Sequence, residues 1–143
     1  MNYQNVQVTL LQVCNSKQKC TKIIELAKQH FEKREPLLIR LPNEKALEYV
    51  DLLLWRSPQD SFLPHAVADE YCEDLIVLTT SEKNFNKARS VLNLSPEPVT
   101  MKSTSPFVHI YEFENLSDNK IDKFSKERYK SYKEQGFRVS LSR

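Results

Sequence analysis

The chain alternates between short apolar segments and longer amphipathic segments. Apolar residues that are continuous or fill every second position predict strands at 6–13, 37–39, 74–79, 107–113 and 137–141. Apolar residues spaced three or four apart, with charged residues between them, predict helices at 16–33, 43–54, 81–92 and 117–135. Strands that alternate with helices indicate an α/β domain with a mostly parallel sheet.

The length of 143 residues fits one domain, which we expect to span residues 1–143. Hydrophobic residues make up 40% of the chain and charged residues 28%, a balance that is sufficient for a buried core. The predicted architecture is a three-layer domain with about five strands and about four flanking helices. Asn43 is a suitable N-cap for the second helix, and Gly136 can end the last helix in a left-handed conformation.

The glycine content narrows the possible functions, because Gly136 is the single glycine in the chain. A P-loop and a dinucleotide-binding turn each need several glycines at fixed spacing, so neither motif can be present. We therefore expect a domain without a phosphate-binding loop and without a cofactor.

The three cysteines, Cys14, Cys20 and Cys72, show no C-x-x-C spacing and no paired Cys/His spacing. This argues against a disulfide framework and against a zinc site, so no metal is expected. The N-terminal residues lack the features of a signal peptide, and no run of 18 apolar residues occurs. We therefore expect a cytoplasmic protein that does not span a membrane.

The histidines, His30, His65 and His109, belong to no recognisable catalytic motif. A Ser-His-Asp triad could be assembled only through the fold, and the sequence does not exclude one. Because no spacing supports catalysis, we do not expect an enzyme.

The last predicted helix is basic. Residues 117–143 contain eight Lys/Arg and four Asp/Glu, a local charge of +4, whereas residues 1–116 contain 13 and 15, a charge of −2. At about 100° per residue, Lys123, Lys126, Lys130 and Lys133 lie on one face of this helix. On the opposite, core-facing side we expect Ile121, Phe124 and Tyr132.

Tyr129 lies between these two faces, so an aromatic ring is bordered by ammonium groups. This arrangement suits a ligand that is both acidic and hydrophobic. It also suits single-stranded nucleic acid, whose bases stack on aromatic rings. The third interpretation is a solvated amphipathic helix with lysines that contribute only to solubility.

A second distinctive segment is LWRSPQDSFLPH at residues 54–65. It contains Trp55, Phe62 and two prolines in a region without periodicity. Prolines stiffen a loop, and aromatic residues on a stiff loop make effective interface anchors. The alternative is that both rings fill the core.

Both segments resemble one family. The run at residues 54–65 and the run KERYKSYKEQGF at residues 126–137 are similar to the chi subunit of bacterial DNA polymerase III holoenzyme. The order of elements and the length are also similar across nearly the whole chain, whereas residues 81–106 match poorly.

This resemblance implies a non-catalytic replication accessory protein with a nucleotide-binding-like topology that binds no nucleotide. It implies two partners: the acidic, phenylalanine-ending C-terminal tail of the single-stranded-DNA-binding protein, and the psi subunit, which leads to the clamp loader. A helicase is an alternative to psi, and contact with DNA is expected to be mainly indirect. Direct binding of single-stranded nucleic acid by the basic helix is the alternative function.

The resemblance also implies site residues. The tail site would comprise Lys126, Tyr129, Lys130, Lys133 and Phe137, with Lys126 at a position that is often arginine in relatives. The psi or helicase interface would comprise Trp55, Phe62, Pro64 and His65.

Overall fold

The computed structural model describes residues 6–56, 63–100, 107–115 and 122–141, with side chains in the last range from residue 125 onward. Within these ranges the chain forms seven strands and three helices. In chain order they are β1 (Gln7–Val13), α1 (Ser16–Glu32), β2 (Leu37–Arg40), α2 (Glu44–Arg56), β3 (Ala66–Val67), β4 (Ile76–Thr79), β5 (Ser90–Asn93), β6 (His109–Asn115), α3 (Asp122–Glu134) and β7 (Arg138–Leu141).

All seven strands belong to one sheet with the order β3-β4-β2-β5-β6-β1-β7. Every strand pairing in it is parallel. The predicted α/β class with a mostly parallel sheet is therefore confirmed, although the sheet has two strands more than expected. None of the helices in the described ranges is long and apolar enough to cross a lipid bilayer.

Helices cover both faces of the sheet. Successive residues of a strand point to opposite faces, and β2 shows the division. Leu37 and Ile39 join the apolar cluster that contains residues of α1 and α2. Leu38 between them joins the second cluster, which contains Tyr132 of α3 and Phe137. The result is the predicted three-layer arrangement, with α1 and α2 on one face and α3 on the other.

The helix ends follow the local sequence. Asn43 Oδ1 accepts a hydrogen bond from the Ala46 amide at 2.9 Å, as its predicted N-cap role requires. At the end of α3, Gly136 has a φ of 85°, and the Phe137 amide donates to the Tyr132 carbonyl at 2.9 Å. This pattern closes a helix through a left-handed residue, as the sequence predicts for Gly136.

The helix predicted at 81–92 is wrong. Residues 81–88 form bends and irregular backbone, and Leu92 lies in strand β5. The reason is the side chain of Asn84, which donates to the Ala88 carbonyl at 2.7 Å and accepts from the Ala88 amide at 3.0 Å. Asparagine side chains compete in this way with helical backbone hydrogen bonds. Lys87 also takes a positive φ of 52°, which a helix does not allow.

The topology creates a crevice at the carboxyl edge of the sheet. Strands β1 and β6 are parallel neighbours, yet β1 leads to α1 on one face and β6 leads to α3 on the other. Adjacent strands whose connections leave in opposite directions open a gap in which α/β proteins commonly bind ligands. The start of α3 is therefore positioned beside the ends of β1 and β6.

Two histidines, the buried His30 and the half-buried His109, are held by tyrosine and threonine side chains. The His30 Nδ1 lies 3.1 Å from the Glu35 carbonyl oxygen, and its Nε2 lies 3.1 Å from the Tyr111 hydroxyl. The His109 Nε2 lies 2.6 Å from Thr9 Oγ1. Burial lowers the pKa of both histidines, and the neighbouring His30 lowers that of His109 further. A cation in the last turn of α1 would favour the helix dipole, but the burial of His30 favours the neutral ring.

We predict that His30 makes the protein less stable in mild acid. Its folded pKa lies below the usual 6.5, so the unfolded chain binds the proton first as the pH falls. The free energy of unfolding should therefore decrease from about pH 7.5 to about pH 5. Urea titrations across this range should give a shallower decrease for His30→Gln than for the unmodified chain. Parallel slopes would contradict this assignment.

Candidate functional site

Helix α3 presents two chemically different faces. Ser125, Arg128 and Tyr132 are buried against the sheet, whereas Lys126 and Lys130 are exposed on the other side of the helix. The split follows the helical spacing of three and four residues. The orientation of α3 therefore determines what the protein presents to solvent along this helix.

A buried carboxylate fixes that orientation. Glu112 on β6 is 1% exposed. Its Oε1 accepts from Arg128 Nε at 3.1 Å, and its Oε2 accepts from Asn93 Nδ2 at 2.7 Å and from the Tyr132 hydroxyl. Two of these three donors come from α3, so this carboxylate joins the helix to the sheet.

The donors are themselves held in place. The guanidinium of Arg128 also donates to the Pro96 carbonyl at 3.2 Å and to Ser125 Oγ at 3.1 Å. The Tyr132 hydroxyl accepts from the Val99 amide at 3.1 Å. A buried ion pair contributes little when complete, but removal of one partner leaves a buried charge and costs about 3–5 kcal/mol.

Burial and the neighbouring positive charge shift the pKa of Glu112 in opposite directions. Burial raises the pKa of Glu112, and the Arg128 guanidinium together with the donated hydrogen bonds offsets part of that rise. Burial and the adjacent carboxylate also raise the pKa of Tyr132, so its hydroxyl stays protonated and available as a donor.

The outer face of α3 forms a shallow groove of about 540 Å³, which is lined by Lys126, Tyr129, Lys130, Lys133 and Glu134. The structure thus brings together four of the five residues predicted for the tail site. Among the described residues, no carboxylate forms an ion pair with the three lysines. Their charges are therefore available to an external anion.

Tyr129 forms the aromatic part of the groove. Its ring is half-buried between the lysine face and the core, where it packs against the cluster around Tyr132. Its hydroxyl is buried and makes no hydrogen bond to a described residue. Burial and the nearby carboxylate of Glu114 raise the pKa of Tyr129 to about 12. The ring is thus a neutral, largely apolar wall beside the cationic groups.

The fifth residue predicted for the tail site, Phe137, lies elsewhere. It is 5% exposed and stacks on Tyr132 with ring centroids 5.8 Å apart. It does not line the groove. Its place is in the core, where it supports the end of α3.

A second exposed aromatic site lies at the end of α2. The Trp55 side chain is 44% exposed, and its ring centroid is 4.4 Å from that of His65. His65 is buried, with its ring nitrogens 2.6 Å from the Leu63 carbonyl oxygen and 2.6 Å from Asp51 Oδ1. His65 therefore supports Trp55 from below and does not itself face solvent. Pro64 is exposed, and Phe62 lies outside the described residues.

The described residues contain no cluster of three or more metal-ligating side chains. Each histidine is packed against a polar partner or an aromatic ring as described above. Two groups of side chains suited to recognition lie on the described surface: lysines beside an aromatic wall on α3, and an exposed indole at the end of α2.

Comparison with known proteins shows which family the chain is similar to. The family model for the DNA polymerase III chi subunit, HolC, matches residues 5–140. The chain belongs to this chi family. It is also 25% identical over 122 residues to DNA polymerase III subunit chi of Escherichia coli (strain K12), across 84% of this chain and 82% of that protein.

Membership in the chi family confirms the resemblance seen in the two motifs and gives the protein an accessory role in DNA replication. The groove on the outer face of α3 and the exposed Trp55 at the end of α2 are therefore the candidate binding surfaces of this chi family protein.

Sequence reasoning missed the anchor of the site. Glu112 and Arg128 were not predicted as a pair, although one signal was present. In strand β6, Glu112 comes two residues after the buried Ile110 and therefore faces the same buried layer. A carboxylate on a buried strand face needs a cationic or hydrogen-bonding partner, and α3 supplies it.

We predict that Tyr132→Phe destabilises the fold by about 1–3 kcal/mol, because Glu112 and the Val99 amide each lose a buried hydrogen bond. Urea denaturation measures the difference. Tyr71→Phe is the matched control, since its ring is 54% exposed, and should change stability by less than about 0.5 kcal/mol. Equal effects of the two substitutions would contradict the anchoring role of the cluster.

Proposed function

We propose that this chi family protein is a non-catalytic adaptor. It binds the acidic, phenylalanine-ending C-terminal tail of the single-stranded-DNA-binding protein in the groove on α3. It links that tail through psi to the clamp loader. The observation that supports the tail site most directly is the groove itself, in which three lysines without ion-pair partners among the described residues surround the wall formed by Tyr129.

The groove matches such a tail in charge. Tail carboxylates replace water around Lys126, Lys130 and Lys133, which are all exposed. Exposed ion pairs contribute about 0.2–1 kcal/mol each and are screened by salt. Affinity from charge alone is therefore modest and falls as the salt concentration rises. Glu134 is the one acidic lining residue, and it disfavours a carboxylate at its end of the groove.

The groove also matches the tail in shape and polarity. A terminal phenyl ring packs against Tyr129, where aromatic pairs contribute about 0.5–1.5 kcal/mol beyond burial of their area. The terminal carboxylate then lies near the lysines. At Lys126 the ammonium group is a point charge without the bidentate fork of arginine, so it holds this carboxylate in a looser geometry.

The second interface is the surface around Trp55. An exposed tryptophan backed by a buried histidine is preorganised, and such aromatic residues are enriched among interface anchors. We propose that Trp55 and Pro64 contact psi, or a helicase in its place, while His65 positions the indole. Helix α2 and helix α3 lie on opposite faces of the sheet. This placement lets the protein hold both partners at once.

Direct binding of single-stranded nucleic acid is the second candidate, because lysines beside one aromatic ring also suit bases and phosphates. The groove offers a single aromatic wall and includes Glu134, whereas strand-binding grooves stack successive bases on several rings. We therefore favour the tail.

The deciding experiment is fluorescence anisotropy with a labelled peptide that copies the tail of the host single-stranded-DNA-binding protein. The control peptide lacks only the terminal phenylalanine, and a third titration uses a labelled oligonucleotide. Saturable binding that is lost with the phenylalanine supports the proposal. Binding of the oligonucleotide without binding of the peptide would replace it with the nucleic-acid function.

We predict that Lys130→Gln weakens binding of the tail peptide by roughly 1.4- to fivefold at low salt, because one exposed charge contact is removed. Stability should stay within about 0.5 kcal/mol of the unmodified chain. Lys28→Gln is the matched control, since Lys28 is an exposed lysine on α1 outside the groove. Equal loss of affinity in both variants would show that the effect is one of net charge alone.

We predict that Trp55→Ala abolishes or strongly weakens capture of the host psi subunit while leaving affinity for the tail peptide unchanged. Removal of a tryptophan anchor typically costs 2 kcal/mol or more, about a thirtyfold loss. Surface plasmon resonance with immobilised psi measures the first effect. Tyr71→Ala removes another exposed aromatic ring and should bind psi normally. Normal binding of psi by Trp55→Ala would refute this interface.

A further inference from the structure

The two ring nitrogens of His65 both face oxygen atoms that accept hydrogen bonds. Nδ1 lies 2.6 Å from the Leu63 carbonyl oxygen, and Nε2 lies 2.6 Å from Asp51 Oδ1. A carbonyl oxygen and an ionised carboxylate accept hydrogen bonds and cannot donate them. A neutral imidazole carries one N–H group, so it can satisfy only one of these two oxygens. The two contacts together therefore require a second proton.

Burial makes the missing proton costly. The His65 side chain is 0% exposed, and the side chain of Asp51 is 32% exposed. With a neutral ring, an unprotonated nitrogen would lie against a carboxylate oxygen, and a buried polar group would be left without its hydrogen bond. With both nitrogens protonated, each contact becomes a hydrogen bond from a charged donor, the stronger kind. The geometry therefore favours an imidazolium paired with an ionised carboxylate.

His30 provides the contrast within the same molecule. Its Nδ1 also faces a carbonyl oxygen, that of Glu35, but its Nε2 faces the Tyr111 hydroxyl. A hydroxyl can donate as well as accept, so a neutral ring with its proton on Nδ1 satisfies both partners. Burial lowers the pKa of His30 in the same direction. The two buried histidines thus differ in the partner of Nε2, which is a hydroxyl in His30 and a carboxylate in His65.

The charge of His65 matters because the ring lies against Trp55. The two ring centroids are 4.4 Å apart, and the ring planes meet at 46°. A cation within about 6 Å of an indole centroid is attracted to the π electrons of the ring. A charged His65 therefore holds the indole more firmly than a neutral one. Asp51 and Trp55 both belong to α2, so the ion pair also joins this helix to the segment before β3.

We propose that Asp51 is a positioning residue for the Trp55 surface: its carboxylate keeps His65 as an imidazolium, and this cation fixes the indole. Among the described residues, Asp51 is the carboxylate that pairs with His65. The charge of His65 is independent of the adaptor function. Its effect on binding rests on the proposed contact between Trp55 and psi.

The first measurement is the protonation of the histidine rings in the full-length, ¹⁵N-labelled protein, followed by ¹H–¹⁵N correlation spectra at pH 7.5. An ordinary histidine, with a pKa of about 6.5, is about nine-tenths neutral at this pH. We expect two protonated ring nitrogens in His65, but one protonated and one unprotonated nitrogen in His30. An unprotonated nitrogen in His65 would overturn the proposal without reference to any partner.

The decisive variant is Asp51→Asn, which keeps the shape of the side chain. Its amide group can donate to Nε2, so a neutral His65 ring then satisfies both partners. We expect one unprotonated nitrogen in His65 of this variant. Loss of the cation beside the indole should lower the affinity for immobilised psi by about two- to fivefold in surface plasmon resonance at the same pH.

Glu48→Gln is the matched control, since it removes an exposed carboxylate from the same helix. It should keep both ring protons of His65 and the affinity for psi. An Asp51→Asn variant that keeps both ring protons would overturn the role of Asp51. Equal losses of affinity in the two variants would overturn the link between the His65 charge and the Trp55 surface.

A third measurement tests the position of the indole without a partner. Trp55 is the single tryptophan of the chain, so time-resolved fluorescence anisotropy reports on this ring alone. We expect a larger fast component of the decay in Asp51→Asn than in the unmodified chain or in Glu48→Gln. Identical decays in all three proteins would overturn the positioning role. Failure of the unmodified chain to bind psi, with the expected decays, would refute the psi interface and leave that role supported.

Discussion

The buried carboxylate of Glu112 determines how helix α3 sits on the sheet. A carboxylate without water needs several donors, and here Arg128 and Tyr132 of α3 provide two of them while Asn93 of β5 provides a third. If α3 rotated by one residue, both α3 donors would leave the carboxylate. The same contacts that satisfy Glu112 therefore hold Lys126 and Lys130 toward solvent. The position of the lysines on the outer face of α3 therefore follows from the hydrogen-bond donors that the Glu112 carboxylate needs on the buried face.

The parallel sheet separates the two proposed binding surfaces. Helix α2, which carries Trp55, packs on the cluster around Leu37 and Ile39, and α3 packs on the cluster around Leu38. A rigid sheet between the two surfaces suits the proposed adaptor, in which each partner would bind without displacing the other. Buried His65 serves the Trp55 surface as Glu112 serves α3. Each is a polar side chain in the interior that fixes an exposed group.

The sequence predicts those helices and strands in which one face is buried, because burial of one face produces a regular spacing of apolar residues. The lysine face of α3 follows from residue spacing alone, and the end of that helix follows from Gly136. The helix predicted at 81–92 is wrong for a local reason. The side-chain amide of Asn84 forms hydrogen bonds with the Ala88 backbone in place of the helical hydrogen bonds that the apolar spacing had suggested. Phe137 was predicted for the tail site, yet it stacks on Tyr132 in the core. The sequence around the end of a helix does not reveal whether an aromatic ring there packs in the core or lines the outer surface.

The pairing of Glu112 with Arg128 could not be found from spacing, since 16 residues separate the two and the contact exists only in the folded chain. The exposure of Trp55 was also open at the sequence level, where core and surface positions were both consistent with the motif. In each case the missing information is tertiary: which buried layer contains a charge, and which aromatic ring stays partly exposed in the folded chain.

We propose above all that an acidic, phenylalanine-ending tail binds the outer face of α3. The most direct test is a chemical-shift map of the ¹⁵N-labelled protein titrated with the unlabelled tail peptide. We expect the largest shifts on residues 126–134, including the amides of Tyr129 and Lys130, and little change in α1 and α2. Saturable shifts centred on α2 or on the opposite face of the sheet would contradict it.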